Sequence, residues 1–547
     1  MTTSSQSAEV PPSGEGIAKA AGILSLGNVA SRVLGLVRQT VIADLFGASP
    51  YVSAFVAAAR VPTMIYDLLI GGLLSAALVP VFSDYASPEK RQELWHIFSI
   101  VLSLAVVILS LIVILLELLA PLVAWLLVGG FDTQLRAVTA KMIRIILPAV
   151  LFFGLSGMVT GLLYSLKRFT YPAFGAAIYN AGLITAALLL ADKVNIYSLT
   201  LGILLGAILQ LAIQLPDLRD VRFAFSLGLS HPALRRIAGL YLPIVLGLVI
   251  SQIGILIDSN LASRTGEESI AWMDYATRLI QFPIGMVSAA VSLAILPTLS
   301  QYASTAPSNQ YPISNIQPPA SNLQPPTSDF QRTLALGLKM VLMAIIPATI
   351  GLFVLAAPIV ALLFQHGNFD AHDTVQTALA LRYYLLGLTF AAIDLPLVFA
   401  FYARKDTLTP ALVGVLGVVV YLIVALSLIR PLGMIGLVLA NSAQLTIHAL
   451  TMLVLIQRRL GGLGRQGIML LAFKTLLASL VMGGVTYLAL SGLQSALDAN
   501  TLVGKLVVVG GAGGVGLVTY LGMIALLRVE EARLVGGMIW RKARPSS

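Results

Sequence analysis

The sequence predicts an all-α integral membrane protein of about fourteen transmembrane helices, arranged as two parallel six-helix lobes around a central cavity plus two C-terminal helices. Three observations predict it. Of 547 residues, 58% are hydrophobic and only 11% are charged, less than half the roughly 25% charge of a soluble domain. Apolar runs of about 20 residues, each long enough to cross a bilayer as a helix, recur along nearly the whole chain. The chain also matches itself at a spacing of roughly 220–240 residues, about six spans. The mean hydropathy of +0.92 excludes an ordinary soluble enzyme, a disordered chain and a coiled coil. With no cysteine, a disulfide framework, thiolate metal sites and cysteine nucleophiles are excluded.

In chain order, residues 1–16 form a polar, Ser/Pro-rich tail with none of the basic start and short apolar core of a cleavable signal. The expected spans are 18–46, 52–84, 94–127, 136–163, 171–190 and 197–216, then 235–262, 268–302, 331–365, 373–402, 410–428 and 431–457, and finally 469–492 and 501–527. The lobes are therefore 17–230 and 231–460, followed by the last two spans in 461–527 and a basic tail, 528–547. Within the second lobe, residues 304–330 are rich in Pro, Ser, Asn and Gln and read as a cytoplasmic linker.

Basic residues set the orientation. Lys90, Arg91, Lys167, Arg168, Arg219, Arg222, Arg235, Arg236, Arg332, Arg404, Lys405, Arg458, Arg459 and Arg465 fall on one side, with the C-terminal tail. The other side offers little beyond Arg136, Lys193, Arg264, Arg430 and Lys505. The positive-inside rule then places both termini in the cytoplasm. The net charge of +10 fits cytoplasmic loops and anionic lipid rather than nucleic acid.

The internal duplication rests on polar and proline positions. Residues 78–87 (LVPVFSDYAS) match 295–304 (ILPTLSQYAS). PLVA at 121–124 and GFD at 130–132 match PIVA at 358–361 and NFD at 368–370. Lys167-Arg168 before Pro172 matches Lys405-Asp406 before Pro410, and Arg60 corresponds to Arg278. Six spans is an even number, so both halves insert the same way and a substrate site is expected between them.

Charges within the spans mark the candidate site. An arginine at the bilayer centre costs about 2.5–3.5 kcal/mol, so Arg32, Arg38, Arg60 and Arg278 facing lipid would cost on the order of 10 kcal/mol together. They are expected instead to line a wet cavity, whose planar guanidinium forks suit phosphate oxygens. The alternatives are snorkelling at helix ends and local pairing of Arg38 with Asp44 or of Arg278 with Asp274. Arg32 and Arg38 lie nearly two turns apart in height. Gly35, Gly47, Pro62, Gly71, Gly72, Pro80 and Pro283 interrupt the same helices, either lining the cavity or kinking for packing. Asp258 in the seventh span is a candidate for Na⁺ or H⁺ coupling, or a hydrated residue at the external end. Asp394 and Arg382 in the tenth carry the same two readings.

Other signals carry less. GxGxxG at Gly511, Gly513 and Gly516 lies inside an apolar span with no preceding strand, and fits close helix packing better than a dinucleotide site. The five histidines (His96, His231, His366, His372, His448) fall at loops or helix ends without metal spacing. No P-loop, GxSxG or HExxH occurs, so transport is expected to draw on an ion gradient, the membrane potential or the substrate gradient.

SRVLGLVR at 31–38 with IADLFG at 42–47 resembles the opening signature of the MurJ (MviN) family of lipid II flippases. RVP at 60–62, GLLSAALVP at 72–80, YATRL at 275–279, Leu296-Pro297 and FYARKDTLTP at 401–410 extend the resemblance over nearly the whole chain. It implies membership of the superfamily that includes the MATE exporters, a bacterial inner-membrane location, and peptidoglycan synthesis as the process served. The implied cargo is lipid II, an undecaprenyl-diphosphate-linked disaccharide-pentapeptide. It implies diphosphate contacts from Arg32, Arg38 and Arg278, with Arg60 added from the charge argument above. Ser31, Gln39, Tyr66 and Gln281 then support the cavity. The family's acidic residue is Gln39 here, its second-helix Asp is Ser53, its second-helix Arg is Tyr66, and its eighth-helix acid is Gln281. The eleventh span, from Gly414 to Val424, lacks the family's polar partners.

The expected function is therefore non-enzymatic: flipping of lipid II by alternating access, without a cofactor, coupled to Na⁺, H⁺ or the membrane potential. The expected partners are lipid II, membrane lipids and cell-wall synthesis proteins, with no nucleic acid. Alternatives are a flippase for another polyprenyl-diphosphate oligosaccharide, a MATE-like exporter, and a non-transporting scaffold that binds the lipid precursor.

Overall fold

The computed structural model describes residues 14–68, 77–228, 231–304, 326–460, 463, 466–497 and 501–531. Gly71 and Gly72, residues 305–325 of the expected 304–330 linker, the first thirteen residues and the basic tail beyond 531 lie outside them, while 304 and 326–330 belong to helices. The described residues form helices joined by turns and loops, with no strand among them. Apolar chain in a bilayer must bond its peptide groups within the segment, and a helix does that.

The chain divides into two compact units, 1–271 and 272–547. The first contains α1 (Gly14–Phe46), α2 (Pro50–Tyr66), α3 (Val79–Ser83), α4 (Arg91–Leu118), α5 (Ala120–Val128), α6 (Thr133–Ile146), α7 (Ala149–Ser165), α8 (Thr170–Val194), α9 (Tyr197–Ala212) and α10 (Pro232–Ser263). α1 lies along α8, α8 along α9, and α2 against α6, while α10 packs on α5, α3 and α4. Phe82 and Phe98 meet edge-on in its core.

Beginning at the unit boundary, the chain continues with α11 (Ser269–Pro283), α12 (Ala289–Ser304), α13 (Pro326–Val354), α14 (Ala356–Leu363), α15 (Ala371–Ala403), α16 (Leu408–Leu432), α17 (Met434–Leu460), α18 (Ile468–Ala496) and α19 (Leu502–Leu526). In the second unit, α17 packs on α15 and α16, α13 on α15 and α18, and α18 on α19. Buried Tyr275, Phe364 and Phe369 form an aromatic cluster with centroids 5.0–6.0 Å apart.

Eleven helices are long and apolar enough to cross a membrane, so length and composition support eleven spans among the described residues. They coincide with eleven of the fourteen expected. The first, second and seventh expected spans, which correspond to α1, α2 and α10, are not among them. α1 carries Lys19, Arg32, Arg38 and Asp44, and α2 runs 17 residues before the helix changes character.

The duplication recurs as local geometry inside each unit. Lys167 and Lys405 both have φ of 59°, and Asn195 and Gly433 end α8 and α16 at φ of 52° and 55°. Asp132 caps α6 through the Leu135 amide, and Asp370 caps α15 through the Asp373 amide. A break at Leu119 between α4 and α5 is repeated at Leu355 between α13 and α14. π-turn geometry follows α2 at residues 67–68 and follows α11 at Ile284–Ser288. Ion pairs close equivalent corners with opposite polarity: Arg168 holds Asp220 in the first unit, and Asp406 holds Arg459 in the second.

Small residues let the helices approach. A Cβ on Gly182 would sit 2.8 Å from the Cα of Gly206 on α9, and one on Gly516 would sit 2.3 Å from Thr486 Oγ1 on α18. The latter gives one glycine of the GxGxxG pattern its packing role.

Candidate functional site

In the first unit, α1 and α8 hold the central polar group. Arg38 Nη1 donates to Asn180 Oδ1 at 2.9 Å. Asn180 in turn donates to the Ser31 carbonyl at 3.2 Å and to the Ala176 carbonyl at 3.0 Å. The amide is buried and uses its oxygen and nitrogen at once, so it fixes the guanidinium relative to α1. Sequence reasoning passed over Asn180. Its signal was there: an asparagine in the middle of the apolar fifth span.

Arg32, two turns earlier, donates through Nε to Asn28 Oδ1 at 3.3 Å. Gln39 is buried beside Arg38 in the sequence. Asp44, the partner considered for Arg38, is exposed. Both α1 arginines are thus seated against neutral amides.

Arg60 on α2 has a different neighbour. Its Nη1 stands 3.8 Å from Asp258 Oδ2 on α10, with both side chains about one-quarter exposed. That distance gives charge attraction but is too long for a hydrogen bond. Two residues assigned separate roles from sequence, one for the diphosphate and one for ion coupling, therefore face each other. Tyr66 packs edge-on to Phe153, which continues to Tyr179 on α8. Ser53, where the resemblance expects an acid, is fully buried, and its hydroxyl accepts from the Ala271 amide at 3.1 Å.

In the second unit, Arg278 grips Asp274 one turn earlier, Nη2 to Oδ1 at 3.2 Å and Nε to Oδ2 at 3.4 Å. This is the local pairing considered from sequence. Gln281 lies exposed on the same helix.

One correction concerns His448. It is not at a loop or helix end but midway along α17, with Nδ1 2.8 Å from Asp394 Oδ1 on α15. Arg382 donates to the Phe353 carbonyl. Asp370, His372 and Asp373 bring their ligand atoms within 4.8 Å of one another, yet Asp370 is engaged as a helix cap and Asp373 accepts from the Trp272 indole.

Chemically, these groups make no catalytic set. Among the site residues there is no nucleophile–base pair and no paired acid with reactive geometry. They offer guanidinium forks inside apolar helices, a way of holding an oxyanion.

Comparison with known proteins shows the family. A family model described as "Lipid II flippase MurJ" matches residues 42–508. A lipid II flippase MurJ of Burkholderia cenocepacia is 30% identical over 443 residues, covering 78% of this chain and 81% of the relative. A probable lipid II flippase MurJ of Vibrio cholerae is 29% identical over 535 residues, covering 93% and 95%. Among solved structures, a lipid II flippase MurJ in an inward closed conformation superposes with a TM-score of 0.75 at 25% identity, covering 92% of this chain and 98% of the other. An inward-facing multidrug resistance MATE transporter of the MOP superfamily gives 0.65 at 14% identity, covering 80% and 96%, a likeness of fold.

Proposed function

The chain belongs to the MurJ family of lipid II flippases, and from that premise we propose that it carries lipid II across the bacterial inner membrane for peptidoglycan synthesis. It is a transporter rather than an enzyme, and no bond is made or broken. The polar head of such a lipid crosses a hydrocarbon core only if its charge is met on the way. Arginine forks meet phosphate oxygens in pairs.

The observation that carries the site assignment is the Arg38–Asn180–Ser31 network. A buried amide that holds a guanidinium against one helix keeps its charge and pre-orients it, which lowers the cost of binding. Arg32 lies six residues earlier on the same helix, about 9 Å along its axis and about 120° round it, at a second depth. Arg60 and Arg278 each rest against a carboxylate, so an arriving diphosphate competes with Asp258 and Asp274 for them. In this reading the α1 arginines capture, and the paired arginines are released to the cargo as it moves. Alternating access then delivers the head to the outer leaflet, with both termini cytoplasmic, as the Lys/Arg distribution supports.

The test is complementation. Cells depleted of their own flippase are supplied with this chain, and lipid II exposed on the outer leaflet is measured. Rescue by the wild type and loss of rescue in Arg38→Ala at equal membrane level are expected. A well-inserted wild type that leaves lipid II in the inner leaflet refutes the reading.

A further inference from the structure

We propose that Asp394 and His448 form a proton-binding site inside the second unit, and that this proton is the ion the transporter exchanges. The coupling half of the proposal rests on the transport reading above; the binding half does not.

Depth is the first observation. His448 lies 14 residues from the start and 11 from the end of the span Met434–Arg459, about 16–21 Å from either end at helical rise. The imidazole and the carboxylate are largely buried, 17% and 21% exposed, with Nδ1 and Oδ1 2.8 Å apart. No loop or helix-capping duty explains a His–Asp contact at that depth.

Chemistry follows from the contact. With Nδ1 facing a carboxylate oxygen, the Nδ1 hydrogen donates to Asp394, and Nε2 is the position that gains or loses a proton. With the proton on Nε2 the pair is an imidazolium–carboxylate with no net charge. Without it, the pair carries one negative charge in an apolar setting, which is costly unless the helices rearrange or water enters.

The surrounding backbone is built to respond. Pro396 stands two residues after Asp394 inside α15. It has no N–H, so the Ala392 carbonyl loses its helical partner. The Ser288 hydroxyl, from the π segment after α11, takes that bond instead. Intramembrane helix breaks beside a polar side chain are where transporters bind ions. On the facing helix, Gly417 gives α16 a close approach: a Cβ there would lie 3.3 Å from Gln444 Cγ and 3.9 Å from His448 Cδ2. The pair thus ties α15 to α17 where α16 packs closely, and its protonation state sets the charge held between them.

Other ionisable groups stand on the packed helices. Tyr402, two turns along α15, lies within range of the Asp394 charge. On α15, Arg382 is bonded to the Phe353 carbonyl, and His372, Asp373, Tyr383 and Tyr384 lie toward the start of the helix. Lys339 of α13 is paired with Glu531, and Asp329 and Arg332 sit near that helix's start. α16 contributes Tyr421 and, in its last turn, Arg430. Tyr302 closes α12, α14 has no ionisable side chain, and Arg458 and Arg459 end α17 with Arg459 on Asp406.

Two measurements on the full-length protein in lipid nanodiscs and proteoliposomes test the proposal. In the first, histidine side chains are ¹⁵N-labelled and titrated by NMR without substrate, the His448 signal being assigned by its loss in His448→Gln. In Asp394→Asn the proton affinity of His448 is expected to fall about tenfold or more, with the other four histidines unchanged. Identical titration of His448 in both proteins overturns the site. In the second, translocation of fluorescent lipid II is followed with and without an imposed pH gradient. The wild type should respond to the gradient, and His448→Gln should lose the response; an unchanged response overturns the coupling. A wild type that moves no lipid under either condition sinks the transport reading and the coupling with it, while the titration still decides the site.

Discussion

Arg60 on α2 and Asp258 on α10 stand 3.8 Å apart as partly buried opposite charges. Each offsets the other's charge in a setting where a buried charge is costly. Removing one partner takes away that attraction and leaves the other's charge in place, whereas removing both leaves neither charge. Arg60→Gln and Asp258→Asn are therefore each expected to destabilise the purified protein more than the double variant does. The double-mutant cycle should give a coupling of about 0.5–3 kcal/mol, read from thermal unfolding in detergent. Additive single effects would remove the pair from the account.

Asn180 is expected to matter because it positions Arg38. Asn180→Ala removes the acceptor at 2.9 Å and the donor to the Ser31 carbonyl, and leaving such a buried group unsatisfied costs about 1–3 kcal/mol. Asn180→Asp keeps the acceptor but places a carboxylate against the guanidinium, cancelling the charge the cargo needs. Transport should fall further in Asn180→Asp than its stability does. The comparison is lipid II translocation against melting temperature for both variants, and equal transport in Asn180→Asp and wild type would refute the positioning role.

Much of this was legible in the sequence because lipid simplifies the code. An apolar run of sufficient length has one stable conformation, so the limits of α8, α15, α16 and α19 follow the hydropathy closely. The duplicated Lys167/Lys405 and Asp132/Asp370 positions were visible as well, since a left-handed turn and a helix cap need particular residues. What stayed hidden were partners far apart in the chain. Arg38 finds Asn180 across 142 residues, and nothing local says which of several polar residues on α8 turns toward α1. His448 was passed over because one histidine has no periodicity; only the packing of α17 on α15 brings it to Asp394.

The corner ion pairs give a pH dependence with a definite sign. Arg168 holds the Asp220 carboxyl below its usual value of 3.8, chiefly through the side-chain hydrogen bond. At Asp406 burial pushes upward, but bonds from Thr409 and Arg459 outweigh it and the net shift is also downward. A carboxyl lowered in the folded state adds stability above its unfolded value, and that stability is lost as pH falls through the folded one. Both pairs are largely exposed, so Asp220→Asn should cost only about 0.2–1 kcal/mol at neutral pH. The difference from wild type should shrink as pH falls below the carboxyl's usual value of 3.8 and vanish once it falls below the lowered folded value, as followed by thermal unfolding across pH. A difference that does not shrink as the carboxyl is protonated would assign the effect to packing rather than charge.

Two glycines on α19 separate packing from mere presence in the GxGxxG pattern. A Cβ at Gly516 would lie 2.3 Å from Thr486 Oγ1, whereas one at Gly514 meets nothing within 4 Å. Gly516 is buried in the α18–α19 contact, and its replacement must push those helices apart. Gly516→Val should therefore lose about 1–3 kcal/mol through overpacking, and Gly514→Val should be close to neutral because it adds an apolar group to an open face. The comparison uses yield of monodisperse protein and melting temperature side by side. A nucleotide-binding role would predict similar sensitivity at both positions and a ligand-dependent shift, whereas helix packing predicts a large asymmetry with no ligand at all.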